Sequence, residues 1–118
     1  MMPRFIRING QTREDRHDMI SKVNTAISNS GAWILNFKMF SNRLINILFE
    51  VPTNNIDKLY ASLLDTGLEL YEESKALLEE CSNQQKYVND DFDIAGTLQV
   101  TFIHNEPDLK IDVPPFDL

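Results

Sequence analysis

The chain has 118 residues, 42% of them hydrophobic, which suits one domain around one core and argues against a second independent domain. Its formal charge is −7 with a sequence pI near 4.7, so attraction to nucleic-acid phosphate or an anionic membrane would require a local basic patch. The one basic cluster, Arg4, Arg7, Arg13 and Arg16, reads as a solvated strand and loop, so neither a nucleic-acid nor a membrane partner is expected.

The start, Met-Met-Pro-Arg-Phe, lacks the continuous apolar stretch of a signal peptide, and no window approaches about eighteen apolar residues. A soluble, cytoplasmic protein is the expectation. Residues 4–9 place Ile6 and Ile8 on one face of a short strand, which Gly10 breaks. Thr12 and Asp15 then suggest a capping box, and Met19, Ile20, Val23, Ala26 and Ile27 recur at helical spacing until Gly31 stops the helix.

From Trp33 to Phe40 the set Trp33, Leu35, Phe37 and Met39 alternates with Ile34, Asn36, Lys38 and Phe40. Residues 44–51 are again aliphatic and aromatic, so a β-hairpin turning at Ser41, Asn42 and Arg43 follows. Its second face carries Ile34, Phe40, Leu44 and Leu48 out of step with the core set, and something should cover that face or the adjoining edge. Pro52 ends the arm and Asn54 or Asn55 can cap. Ile56, Leu59, Tyr60, Leu63 and Leu64 then form a second amphipathic helix up to Gly67, followed by a short strand over 68–71.

The order strand, helix, strand, strand, helix, strand predicts an α+β domain: a ferredoxin-like βαββαβ sandwich, with an antiparallel sheet and both helices on one face. Beyond it, Ala76, Leu77, Leu78 and Cys81 mark a third helix over 72–81, and 82–93 is a polar, acidic connection. Leu98, Val100 and Phe102, a turn around Pro107, and Leu109, Ile111 and Val113 predict a second hairpin, ended by Pro114 and Pro115. The single domain 1–118 thus reads as a core over 4–71 and a helix-and-hairpin extension over 72–118, the hairpin extending its own sheet or crossing to a partner.

A more specific signal lies in Ser30-Gly31-Ala32 at a helix end, Ile34-Leu35-Asn36 opening a strand and Met39-Phe40-Ser41-Asn42 at its end. Phe49-Glu50-Val51-Pro52 follows, and then the helix and strand over 59–70. This pattern resembles the ACT family of small-ligand-sensing regulatory modules. The resemblance implies a ligand, often an amino acid, held where two domains pair side by side, against the loop after the first strand and the start of the first helix. Asp15-Arg16-His17-Asp18-Met19-Ile20 is similar to the family's Asp-Arg-Pro-Gly-Leu-Leu helix start, with Asp18 where glycine is common. It implies a pocket around Gly10, Asp15, Arg16, Asp18 and Asn36. Physically, N–H groups at a helix start favour a carboxylate, while Asp15 or Asp18 could answer an ammonium; the plainer reading has both aspartates simply stabilising the helix.

Other chemistry is thin. His17 and His104 have no adjacent nucleophile that would make a triad, and two distant histidines with one cysteine do not approach a zinc spacing. Asn89-Asp90-Asp91-Phe92-Asp93 gathers oxygens but lacks the EF-hand spacing, and reads as a solvated loop. Cys81 sits beside Glu79 and Glu80, which would raise its pKa, so ordinary packing is expected. The expectation is therefore a non-enzymatic, cofactor-free regulatory module that binds a small ligand, with an amino acid as the candidate, and acts as a homodimer through a sheet edge or the outer sheet face. The alternative is a protein interaction or assembly module without a small ligand.

Overall fold

The computed structural model describes residues 2–88 and 91–103. The elements run β1 (Phe5–Thr12), α1 (Arg16–Asn29), β2 (Trp33–Ser41), β3 (Leu44–Pro52), α2 (Ile56–Asp65), β4 (Glu69–Leu70), α3 (Glu72–Gln84) and β5 (Asp93–Phe102), with single 3-10 turns at Thr53–Asn55 and Gln85–Tyr87. The result is an α+β domain with a five-stranded sheet in the order β2-β3-β5-β1-β4.

Two expectations change here. The sheet is mixed, because β5 runs parallel to β1 and antiparallel to β3. The stretch after Glu72 also does more than extend a finished module. β5 forms the middle of the sheet, from Phe5↔Ala95 to Thr12↔Phe102 on one side and from Leu44↔Thr101 to Pro52↔Asp93 on the other. The turn and second arm expected over 104–113 lie outside the described residues.

Strict alternation on three neighbouring strands makes the core. Ile6 and Ile8 of β1, Ile45, Ile47, Phe49 and Val51 of β3, and Ile94, Leu98, Val100 and Phe102 of β5 are all buried. Against them lie Met19, Val23, Ala26 and Ile27 of α1, Ile56, Leu59 and Leu63 of α2, and Leu78 and Cys81 of α3. Each fully buried aliphatic side chain contributes roughly 1.5–3 kcal/mol, so this face dominates the stabilisation. Among the described residues the opposite face has no helical layer and is largely polar: Lys38, Asn46, Gln99 and Asn9 fall in register across four strands.

Local details follow from side-chain size. β1 does not stop at Gly10 but continues to Thr12, and a Cβ at Gly10 would lie 3.0 Å from Leu68 Cγ. The glycine thus admits the α2–β4 turn onto the strand. The N-cap of α1 is Asp15, not Thr12; Thr12 Oγ1 accepts the Glu14 N–H at 3.1 Å instead. Gly31 (φ 86°) and Gly67 (φ 85°) end α1 and α2 in the left-handed region, as their positions predicted. Asn55 precedes α2 without a side-chain capping bond; Asp91 accepts from the Thr53 hydroxyl and from the Asn54 N–H, tying the start of β5 to that turn.

Candidate functional site

The start of α1 is built by Asp15. One carboxylate oxygen, Oδ2, accepts the N–H of His17 at 3.0 Å and of Asp18 at 3.2 Å, which satisfies donors that a helix otherwise leaves open. An anion arriving there would have to displace the chain's own carboxylate. Arg16 is half-buried and donates from Nη1 to Asn42 Oδ1 at 2.9 Å, so it joins the helix start to the β2–β3 turn. Asp18 is exposed in the first turn.

Gly10 lies within β1, paired with Leu70 on one side and Val100 on the other and covered by Leu68. It is a closed strand position, not an open approach to a ligand. Asn36 is elsewhere. Its strand partner is Leu48, in register with Thr97 and then Arg7, so three strand spacings, roughly 14 Å, separate it from β1. Its Oδ1 accepts the N–H of Phe37 at 2.9 Å. Of the five residues the resemblance implied, Asp15, Arg16 and Asp18 share the helix start, Gly10 is enclosed within the sheet, and Asn36 stands apart.

The groove nearest this loop has a volume of about 560 Å³ and is lined by Gln11, Arg13, Glu14, Leu64, Gly67 and Glu69 among others. None of the five implied residues lines it. Some of its polar groups are already engaged: Gln11 Nε2 donates to Glu69 Oε1 at 2.8 Å, and Glu14 Oε1 meets Nζ of Lys22, from outside the groove, at 2.7 Å.

The second candidate surface is β2 itself. Among the described residues only β3 pairs with it, and its other edge is the margin of the sheet. Trp33, Leu35, Phe37, Met39 and Phe40 are 38–57% exposed, the largest concentration of exposed apolar side chains among the described residues. The core role expected for Trp33, Leu35, Phe37 and Met39 therefore does not hold. Register shifts between Ile34 and Asn36 and between Met39 and Ser41 rephase the strand, so that Ile34, Phe37 and Met39 share the helix-side face with Phe49, Ile47 and Ile45. Among the described residues nothing buries that margin. The sequence signal for this surface was the hairpin's surplus of apolar residues on both faces.

Among the described residues, no group of three or more His, Cys, Asp or Glu side chains comes together in a way that could hold a metal ion. Of the oxygen-rich run 89–93, Asn89 and Asp90 lie outside the described residues, and Asp91 accepts from the Thr53 hydroxyl and the Asn54 N–H. Cys81 is buried, and its thiol is pushed up from its ordinary pKa first by burial and then by Glu80. No helix among the described residues is long and apolar enough to cross a membrane. Fold and surface together define an α+β domain with a mixed five-stranded sheet whose β2 edge is open and apolar among the described residues. Compared with known proteins, the chain matches no protein-family model, no curated protein and no solved structure.

Proposed function

We propose that this chain is a non-enzymatic interaction module that works as a homodimer, with the β2 edges of two copies paired. The exposed apolar row on β2 carries the reading. An edge strand of nine residues offers unpaired N–H and C=O groups, and natural proteins normally blunt such an edge with charge or proline. Here Lys38 is the only charged residue on the strand. The five exposed side chains leave on the order of 500 Å² of apolar surface in water. Two copies sharing it would bury about 1,000 Å², the lower bound for a specific interface. The polar outer face is the poorer candidate, since docking there would desolvate the row of amides formed by Asn46, Gln99 and Asn9.

The ACT-like reading draws support from the strand order. Lifting β5 out leaves β2-β3-β1-β4, the ferredoxin-like order, so β5 is read as a strand inserted into such a sheet. The experiment is sedimentation velocity of the full chain beside Phe37→Lys. A concentration-dependent dimer lost in the variant is the expected result, and a wild-type chain that stays monomeric would sink the reading.

A second reading, a small-ligand site, is favoured by the groove of about 560 Å³ beside the β1–α1 loop. A thermal-shift panel of amino acids and nucleotides tests it, because a ligand of the folded state raises Tm. A flat panel would count against it.

A further inference from the structure

β5 is hydrogen-bonded on both sides, to β1 and to β3. A hairpin in which residues 109–113 fold back on β5 therefore has no free edge to use. Two edges remain among the described residues: β4, two residues long, and β2, nine residues long and apolar. We propose that residues 109–113 of the same chain, Leu-Lys-Ile-Asp-Val, occupy the open edge of β2 and compete there with a second copy. The proposal rests on the reading above for the identity of that edge.

Reach and direction fit. Phe102 donates its N–H to Arg43 O and Ile103 to Thr12 O, both at 2.8 Å, so the chain leaves the sheet at the end where β2 turns into β3. A strand outside β2 lies three strand spacings from β5, roughly 14 Å. The six steps from 103 to 109 span at most about 20 Å. Returning from that end, the segment runs antiparallel to β2.

The chemistry fits as well. Between its two register shifts, β2 is regular only over 36–39, a stretch that a short strand can match. Pro114 and Pro115 follow the segment and cannot extend a ladder. Setting Asp112 opposite Lys38 places Ile111 beside Met39 and Val113 beside Phe37, so opposite charges meet on the outer face and apolar side chains on the helix side.

Two measurements on the full chain test this. In Lys38→Cys with Asp112→Cys, mild oxidation should give an intramolecular disulfide, the native Cys81 being buried; free thiols or disulfide-linked dimers overturn the proposal. In sedimentation velocity, Ile111→Asp should dimerise at about tenfold lower concentration than the wild-type chain, which corresponds to about 1.4 kcal/mol of lost competition. Equal dimerisation of the two, with Phe37→Lys monomeric, overturns the proposal and leaves the dimer standing. An intramolecular disulfide in a chain that is monomeric with and without Ile111→Asp supports the proposal and removes the dimer.

Discussion

The Ser74 hydroxyl accepts the backbone N–H of Asn9 at 2.8 Å, while the Tyr71 N–H donates to the Asn9 carbonyl at 3.0 Å. β4 pairs with β1 only at Gly10 and Gln11, so the start of α3 serves Asn9 where the strand ladder is missing. Ser74 is buried for this purpose, at 3% exposure. Replacing it with alanine leaves a half-buried N–H without its acceptor and should cost about 1–3 kcal/mol. Urea denaturation of Ser74→Ala should show a lower midpoint at an unchanged m-value; an unmoved midpoint would contradict the role.

Gly96 marks the tightest point of the core. A Cβ there would lie 2.8 Å from both Ile6 Cγ1 and Phe49 Cζ and 3.0 Å from the Ile6 carbonyl oxygen. Gly96→Ala should therefore destabilise by about 1–3 kcal/mol through overpacking, although alanine suits a strand better than glycine. The companion Phe49→Leu should recover part of that loss in a double-mutant cycle. Strictly additive effects would mean the clash is elsewhere.

Phe37 and Phe49 separate association from folding. Phe49 is 1% exposed and Phe37 38% exposed. Phe49→Ala should cost about 3–5 kcal/mol of stability. Phe37→Lys should cost the monomer only about 1 kcal/mol while abolishing dimerisation. A Phe37→Lys protein as unstable as Phe49→Ala would show that Phe37 belongs to the core and not to the edge.

Cys81 gives a pH dependence with a defined sign. Its pKa is raised in the fold, by burial first and by Glu80 second, so folding favours the protonated thiol. That contribution is fully present below the pKa of the unfolded thiol, and it is lost as pH rises through that value toward the folded one. Stability from this group should thus decline on the alkaline side, and a Cys81→Ala chain should show a shallower alkaline fall. At neutral pH the native thiol should react with a thiol reagent only as fast as the chain opens; rapid, complete labelling of the native protein would show the site to be exposed.

Much of the chain was legible locally. Helical spacing gave α1 and α2, and two glycines with positive φ end them where Gly31 and Gly67 had been expected to. The Asn42–Arg43 turn gave the β2–β3 hairpin. The candidate site was legible only in part. Asp15 could be recognised as belonging to a helix start, but that its carboxylate would fill the very N–H groups proposed for a ligand depends on a rotamer that sequence does not display.

Sequence by itself determined the α+β composition and the buried faces of β1, β3 and β5, because residues that alternate with period two or recur at helical spacing carry that information within a few neighbours. Only the tertiary structure decided that β5 enters between β1 and β3, since the pairing of Phe5 with Ala95 joins residues whose local patterns are complete without each other. The same step left β2 outermost. Its apolar residues read as core by alternation, but burial depends on what lies above a strand, and among the described residues nothing buries Phe37 and Met39.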